Sequence, residues 1–257
     1  MAGRYRRPEH WLDADWEAKA QENPLLAIMT TPGMSEASPS EFTPDQLDAF
    51  FTRGRKLFDS HLKPLLAGLD PKGLVVEYGC GAGRIMRAVI DSGHPCAGID
   101  ISPTMLEHCR KLLPEASATY LLDETGRCAA PSSQAVMVYS YSVLQHISSL
   151  ERYITALDEM CRMLKPGGAL AIQINCEDFK AGPDAGYRTE NFETYSLHFR
   201  PGKAGPYKRK EQDHWSGVYI GYDLLVRLLA ERGVTAERWY YHNPHKPRAI
   251  WAIGRKG

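Results

Sequence analysis

The stretch Glu77–Arg84, which reads EYGCGAGR, decides the fold that we predict for this chain. Gly79, Gly81 and Gly83 stand at alternate positions, directly behind a run of three apolar residues. An apolar strand followed by a glycine-rich turn and a helix leaves backbone N–H groups uncovered, and without Cβ atoms a ligand can approach the main chain closely. We therefore expect a ligand on this turn, although the same glycines would also permit a tight turn that binds nothing.

A carboxylate ends the next predicted strand. The segment PCAGIDI (95–101) reads as a strand, and Asp100 lies 17 residues after Gly83. An acidic residue at this position of a parallel sheet accepts the hydroxyl groups of a ribose, so the two elements together predict an adenosine-type ligand. The dinucleotide fingerprint requires G-x-G-x-x-G, and here Arg84 stands where its third glycine would fall. This spacing argues against a nicotinamide cofactor.

From residue 73 onwards, predicted strands alternate with predicted helices, which indicates a parallel α/β sheet covered on both faces. Residues 1–56 are predicted to form a helical extension or cap, and residues 57–257 the α/β domain. Within the extension, Phe50 and Phe51 are interpreted as packing residues. Residues 176–217 interrupt the alternation with glycine, proline and charged residues, so we interpret them as an inserted loop or lid after the fifth strand.

The composition excludes some classes of partner. Lysine plus arginine equals aspartate plus glutamate at 31 each, which gives no overall attraction to nucleic acid or to an anionic membrane. No apolar run approaches the roughly 18 residues that span a bilayer. The 6 cysteines form no Cys-x-x-Cys pair, which is typical of a reducing cytoplasm. We expect a cytoplasmic protein without nucleic-acid or membrane partners; the residues leave open whether it is a homodimer.

Four motifs give the chain a resemblance to a known family. VVEYGCGAGR (75–84), GIDIS (98–102), VLQHI (143–147) and LKPGG (164–168) occur in this order, and together they resemble the class I S-adenosylmethionine-dependent methyltransferases. The resemblance implies a Rossmann-like, seven-stranded, mostly parallel sheet with helices on both faces and an antiparallel last strand. It also implies S-adenosyl-L-methionine as cofactor and S-adenosyl-L-homocysteine as product.

The resemblance further implies a set of cofactor contacts. Glu77 and the Gly79–Gly83 loop would hold the methionine portion, Asp100 the ribose, and Ile101 would pack on the adenine. An acid after the third strand usually faces the adenine amino group in this family, and Asp123 or Glu124 matches it, although LLDETGRCAAPSS departs from the commoner pattern. The expected cofactor-binding residues are Glu77, Gly79, Cys80, Gly81, Gly83, Arg84, Asp100, Ile101, Asp123, Glu124 and Ser140.

The segment SYSVLQHI (140–147) should run past the reactive methyl group in such a fold. Histidine is suited to removing a proton near neutral pH, so His146 is our candidate for a catalytic base. The alternative, that His146 bonds the backbone and only faces the cofactor, stays open. The expected substrate-binding residues are Tyr141, Gln145, Glu177, His214 and Trp215.

Two features of the insertion have a functional and a plain interpretation. Glu177, Asp178 and His214, with His146, have side chains that suit a divalent metal, but no spacing requires one, and we predict no metal. The basic run at 198–210 is either a solvated face or a lid that attracts an anionic substrate. Its basic residues are Arg200, Lys203, Lys208, Arg209 and Lys210.

These observations predict methyl transfer to a small molecule, with a hydroxyl group of a sugar or natural product as the first choice of acceptor. Nitrogen and carbon acceptors stay open, because they need little beyond alignment. A nicotinamide-dependent oxidoreductase and a catalytically inactive, cofactor-binding partner subunit are the alternatives from other classes.

Overall fold

The structure is a computed structural model that describes residues 11–22, 42–147, 149–175, 196–201, 214–220, 222–241 and 249–257. The chain divides into two compact units, Met1–Val136 and Met137–Gly257. In the described part of the chain, no helix has the length and apolar character that a membrane crossing requires.

Seven strands form the main sheet. Their bounds are Leu74–Tyr78 (β1), Cys96–Asp100 (β2), Ala118–Leu121 (β3), Ala135–Ser140 (β4), Leu164–Asn175 (β5), Val234–Tyr241 (β8) and Ala249–Lys256 (β9). Their order is β3-β2-β1-β4-β5-β9-β8. Strands β1, β2 and β3 pair in parallel, whereas β9 is antiparallel to both β5 and β8. The predicted Rossmann-like, mostly parallel sheet with an antiparallel last strand is therefore confirmed.

Part of the predicted insertion is described. Ser196–Pro201 (β6) and His214–Tyr219 (β7) pair as a separate antiparallel two-stranded sheet. Residues 176–195 and 202–213 lie outside the described residues, so the interpretation of 176–217 as a loop or lid stays a prediction.

Helices flank the strands in both units. The first unit contains Trp11–Glu22 (α1), Pro44–Leu57 (α2), Lys63–Leu66 (α3), Met86–Asp91 (α4) and Pro103–Leu112 (α5). The second unit contains Leu150–Met163 (α6) and Tyr222–Glu231 (α7). A π-helical turn, Phe58–Leu62, leads into α3, and a 3₁₀ turn, Leu144–His146, follows β4.

Two helices begin with a capping residue followed by proline. The Thr43 side chain accepts a hydrogen bond from the N–H of Gln46, whose side chain in turn accepts one from the N–H of Thr43. At α5, the Ser102 hydroxyl accepts from the N–H of Met105 at 3.0 Å. These bonds satisfy N–H groups that have no partner inside a helix, and they fix where each helix starts.

The motif LKPGG lies at the beginning of the fifth strand. Strand β5 already begins at Leu164, so the motif lies within the strand. Gly167 has a φ of 76°, which is the left-handed region that glycine tolerates, and pairing with β9 runs from Ala169 to Asn175. The extended chain therefore begins before Gly167, whereas its pairing with β9 begins after it.

Helix α2 packs directly on the glycine-rich turn. Phe50 and Ala82 form a buried cluster to which Phe51 adds partly buried surface, in line with the predicted packing role of both rings. A Cβ atom at Gly54 would overlap the carbonyl oxygen of Arg84, so the helix backbone lies against the end of the turn. The α2 helix is thus part of the same compact unit as the turn, and the domain boundary at residue 56 stays a prediction.

Replacing Gly54 by alanine tests this close approach. In an ordinary helix, glycine to alanine stabilises by about 1 kcal/mol. Here we expect Gly54→Ala to lower the free energy of unfolding by about 1–3 kcal/mol, because the added methyl group has no space. Chemical denaturation measures the change. Thr52→Ala, on the exposed side of the same helix, is the control and should be neutral or slightly stabilising; a stabilised Gly54→Ala variant would contradict the packing.

Candidate active site

The glycine-rich turn is tied to the neighbouring strand by its backbone. The N–H groups of Gly79 and Cys80 both donate to the carbonyl of Ile99, at 2.7 and 2.9 Å. Gly81 and Gly83 have φ values of 52° and 84°, which side chains other than glycine rarely adopt. The turn therefore requires these glycines for its backbone conformation, and Gly83 also for space, because a Cβ atom there would overlap the Leu113 side chain.

Asp100 lies against this turn. Its Oδ2 atom accepts a hydrogen bond from the N–H of Gly81 at 2.7 Å, and its Oδ1 atom accepts one from the N–H of Ser102 at 3.0 Å. The two oxygens of an ionised carboxylate have four acceptor positions in all, and the N–H of Ile101 also donates to this carboxylate, so one position is left for a further donor. A hydroxyl group, as on a ribose, fits this arrangement.

The environment of Asp100 changes its acidity. Burial raises the pKa of Asp100, and the negative charge of Glu17 adds to this effect. Hydrogen bonds from the N–H groups of Ser102, Gly81 and Ile101 oppose it, but the pKa remains above its ordinary value. The carboxylate thus takes up a proton at a higher pH than an exposed aspartate does.

The other predicted cofactor residues lie in several environments. Glu77 in β1 and Cys80 in the turn are buried, as is Ser140 at the end of β4, while Arg84 and Ile101 are half-buried. Their contacts with a cofactor stay predictions.

The predicted adenine-binding acids are exposed. The Oδ1 atom of Asp123 accepts from the N–H and hydroxyl groups of Thr125 and from the N–H of Arg127. This oxygen therefore orders its own loop, a role that the sequence did not predict. An adenine contact of Asp123 or of Glu124 stays a prediction.

In the second unit, the predicted base lies in a polar cluster that we call the Ser142 cluster: Ser142, Gln145, His146 and Gln173. The Gln145 amide nitrogen is 2.9 Å from Ser142 Oγ and 3.2 Å from His146 Nε2. Because an amide nitrogen only donates, His146 Nε2 is the acceptor in this contact, and the proton of a neutral ring resides on Nδ1. The lone pair that a base would use is thus engaged by Gln145.

Ser142 has a backbone conformation that is unusual for its residue type. Its φ is 61°, and its N–H donates to the Oε1 atom of the buried Gln173 at 2.8 Å. Such a conformation costs on the order of 1–3 kcal/mol and occurs often at functional sites. Ser142 and Gln173 are therefore site candidates that the sequence reasoning missed. Gln173, a polar residue inside the apolar strand ALAIQIN, offered a signal; Ser142 offered none.

The predicted substrate-binding residues are only partly described. The Tyr141 ring stacks on Trp251 with 5.8 Å between centroids, whereas Tyr139 is fully buried in the core. His214 and Trp215 begin β7, whose backbone packs against the 3₁₀ turn that carries His146. Glu177 lies outside the described residues, as does Asp178. Within the described ranges, no three histidine, cysteine or acidic side chains come together as a metal site would require.

A comparison with known families identifies the domain. Residues 76–172, which include the glycine-rich turn, Asp100 and three members of the Ser142 cluster (Ser142, Gln145 and His146), match the family model described as a methyltransferase domain. Residues 76–172 thus form a methyltransferase domain, in agreement with the predicted resemblance to the class I S-adenosylmethionine-dependent methyltransferases. S-adenosylmethionine is the cofactor of such domains, and the Asp100 carboxylate beside the glycine-rich turn suits a ribose hydroxyl group.

Curated relatives are similar over part of their length. A trans-aconitate 2-methyltransferase from Rhizobium meliloti is 28% identical over 72% of this chain and 68% of its own. A malonyl-[acyl-carrier protein] O-methyltransferase from Enterobacter lignolyticus is 34% identical over 38% of this chain and 37% of its own. A tRNA (carboxymethyluridine(34)-5-O)-methyltransferase from Macaca fascicularis is 26% identical over 51% of this chain and 19% of its own. Except for the Rhizobium protein, the chain thus spans less than two thirds of the length of these relatives.

Solved structures support the fold. A structure of an S-adenosylmethionine-dependent methyltransferase from Listeria monocytogenes matches 80% of this chain and 99% of its own with a TM-score of 0.58 at 16% identity. A Burkholderia thailandensis 1,6-didemethyltoxoflavin-N1-methyltransferase, solved with bound S-adenosylhomocysteine, matches 86% of this chain and 93% of its own with a TM-score of 0.51 at 15% identity.

Asp100→Asn tests the ribose contact. The amide presents an N–H₂ group in place of one acceptor oxygen and carries no charge, so we expect the affinity for S-adenosylhomocysteine to fall about 100-fold, since a hydrogen bond to a charged group contributes about 1.5–3 kcal/mol. Isothermal titration calorimetry measures the dissociation constant. Asp48→Asn, the same change at an exposed position of α2, is the control. Equal affinity in wild type and Asp100→Asn would remove the ribose assignment.

The pH dependence of cofactor binding follows from the raised pKa of Asp100. Only the ionised carboxylate offers both acceptors, so affinity should be complete above this pKa and should be lost as the pH falls through it. Because the pKa is raised, the loss should begin at a higher pH than for an ordinary aspartate. Calorimetry across the acidic range measures this, and Asp100→Asn should flatten the profile. A wild-type profile as flat as that of the variant would contradict the prediction.

Proposed function

We propose that this protein transfers the methyl group of S-adenosylmethionine to a carboxylate oxygen of a small molecule, to give a methyl ester. The observation that carries the cofactor part is the hydrogen bond from the Gly81 N–H to Asp100, in a turn whose backbone conformation requires glycine. The acceptor position that these donors leave on the carboxylate suits a ribose hydroxyl group of the adenosyl group.

The bound sulfonium would supply an activated methyl group and a neutral leaving group. The residues of this chain then have two tasks: to hold the cofactor and to align an acceptor oxygen with the methyl carbon. Alignment of this kind contributes roughly 7–11 kcal/mol to lowering a barrier. Asp100 and the glycine-rich turn serve the first task, and we assign acceptor alignment to the Ser142 cluster.

The names of the curated relatives support a carboxylate acceptor. Trans-aconitate, a malonyl group and carboxymethyluridine each contain a carboxyl group. A carboxyl group has an ordinary pKa of about 4, so near neutral pH its oxygen is already anionic and needs no base. The engaged Nε2 atom of His146 agrees with such an acceptor.

Charge also supports an anionic acceptor. The basic run at 198–210 carries five lysine and arginine residues in a chain whose formal net charge is zero. A local excess of positive charge concentrates anionic ligands near it, although a solvated face remains the plain interpretation. The zero net charge argues against the many phosphate contacts of nucleic-acid binding, even though one relative acts on tRNA.

The second candidate is the hydroxyl acceptor expected from the sequence, and the presence of His146 favours it. A hydroxyl group is protonated at neutral pH and requires a base, which contributes about 10²–10⁴-fold to the rate. For this reaction Gln145 would have to release the Nε2 atom of His146. The carboxylate proposal needs no such rearrangement.

The stability of the product to mild alkali distinguishes the two candidates. The protein is incubated with methyl-labelled S-adenosylmethionine and a panel of small di- and tricarboxylates, matched sugars and matched phenols. A methyl ester releases its label as volatile methanol on alkaline treatment, whereas ethers and methylamines do not. Ester label from a carboxylate, absent with Asp100→Asn, supports the proposal; stable label from a hydroxyl compound would replace it with the second candidate.

His146→Gln gives a further expected outcome. With a carboxylate acceptor, turnover should stay within about tenfold of wild type, because no proton is removed. A catalytic base would lower turnover by about 10²–10⁴-fold. Single-turnover rates at saturating cofactor measure the difference, and a loss of that larger size on a carboxylate acceptor would contradict the proposed chemistry.

A further inference from the structure

One acidic side chain of the N-terminal helix α1 accepts hydrogen bonds from residues at the start of α5. The Glu17 carboxylate accepts hydrogen bonds from the Ser102 hydroxyl at 2.5 Å, from the Thr104 hydroxyl at 2.5 Å and from the Thr104 N–H at 3.3 Å. The donors are the capping residue of α5 and a residue of its first turn, 85 or more residues away in sequence. Nothing in the local sequence around Glu17 predicts these contacts.

Ser102 connects Glu17 to the predicted ribose site. Its hydroxyl donates to Glu17 and accepts from the N–H of Met105, while its own N–H donates to Asp100. Glu17 and the Met105 N–H thus hold the side chain of Ser102, while Asp100 holds its backbone N–H. A displaced Ser102 would move the N–H that positions the Oδ1 atom of Asp100.

Few side chains of α1 are fully buried in the part of the helix whose side chains are described. Of residues 16–21, Ala20 is buried, and Trp16, Glu17 and Lys19 are half-buried. Burial raises the pKa of Glu17, but the hydrogen bonds from Ser102, Thr104 and Gln21 lower it below its ordinary value. Glu17 is therefore ionised at neutral pH, and its hydrogen bonds link this stretch to the start of α5.

We propose that Glu17 is a positioning residue for the cofactor: by holding the first turn of α5, it fixes Ser102 and so the orientation of the Asp100 carboxylate. This inference rests on the proposed function, because it assumes that Asp100 binds the ribose of S-adenosylmethionine. Docking of α1 and binding of the cofactor are then coupled, so each favours the other.

The test measures binding separately from catalysis. In Glu17→Ala, the dissociation constant of S-adenosylhomocysteine and the KM for S-adenosylmethionine should rise about tenfold, while kcat at saturating cofactor should change less than twofold. Glu17→Gln keeps an acceptor oxygen and should recover part of the affinity. Glu107→Ala, the same deletion at an exposed α5 residue that pairs with Lys111, is the matched control and should bind as wild type.

A second variant keeps the test independent of the folding of Glu17→Ala. Thr104→Val preserves shape but removes one donor to Glu17, so it should weaken cofactor binding by a smaller factor. The double variant should bind as Glu17→Ala alone, because both changes break the same link. In addition, S-adenosylhomocysteine should slow proteolytic removal of α1 in wild type but not in Glu17→Ala.

Three outcomes would overturn the inference: wild-type affinity in Glu17→Ala, a loss of kcat equal to the loss of affinity, or additive effects in the double variant. Failure of the proposed function is a separate result. If wild type itself binds neither S-adenosylmethionine nor S-adenosylhomocysteine, the cofactor assignment fails. If wild type binds and Glu17→Ala binds equally well, only the role of Glu17 fails.

Discussion

The hydrogen bond from the Gly81 N–H to the Asp100 carboxylate joins the tips of two adjacent strands, and the predicted chemistry depends on it. A carboxylate removed from water is unfavourable unless donors replace the lost hydration. Backbone N–H groups of Gly81, Ile101 and Ser102 provide that replacement here. They do so without using all of the acceptor positions of the carboxylate, so a ligand can complete the shell. A side chain at position 81 would disfavour the left-handed backbone that aims this N–H.

The sequence predicts this part of the molecule because each signal is local. A strand, a glycine-rich turn and an acid at the next strand end follow one another within 30 residues, and parallel strands bring their carboxyl ends together. The capping residues Thr43 and Ser102 are likewise local signals. The Glu17 contact with Ser102 is different, because 85 residues separate the two and any exposed glutamate on a helix looks the same in sequence. Only tertiary structure selects which one becomes a partner.

The Ser142 cluster shows a second limit of sequence reasoning. His146 was predicted as a base because histidine can accept a proton near neutral pH. Whether it acts as a base depends on which groups contact its two ring nitrogens. Gln145 engages Nε2, and this contact follows from the 3₁₀ turn and from the left-handed backbone at Ser142. No glycine marks that conformation. The buried Gln173 of β5 accepts a hydrogen bond from the Ser142 N–H and so stabilises this conformation. The conformation therefore depends on residues that are 31 positions apart in the sequence.

The two N-terminal helices, α1 and α2, contact the predicted cofactor site in two physically different ways. Helix α2 lies against the glycine-rich turn through close packing at Gly54 and the buried Phe50, and such packing has few alternative arrangements. Helix α1 is linked through hydrogen bonds from Ser102 and Thr104 to one carboxylate, which water can replace at modest cost in free energy. Helix α2 therefore behaves as part of the folded unit, whereas the position of α1 can respond to the cofactor. The predicted cap of residues 1–56 then combines two different elements. Loss of the cofactor should release α1 but leave α2 packed on the glycine-rich turn.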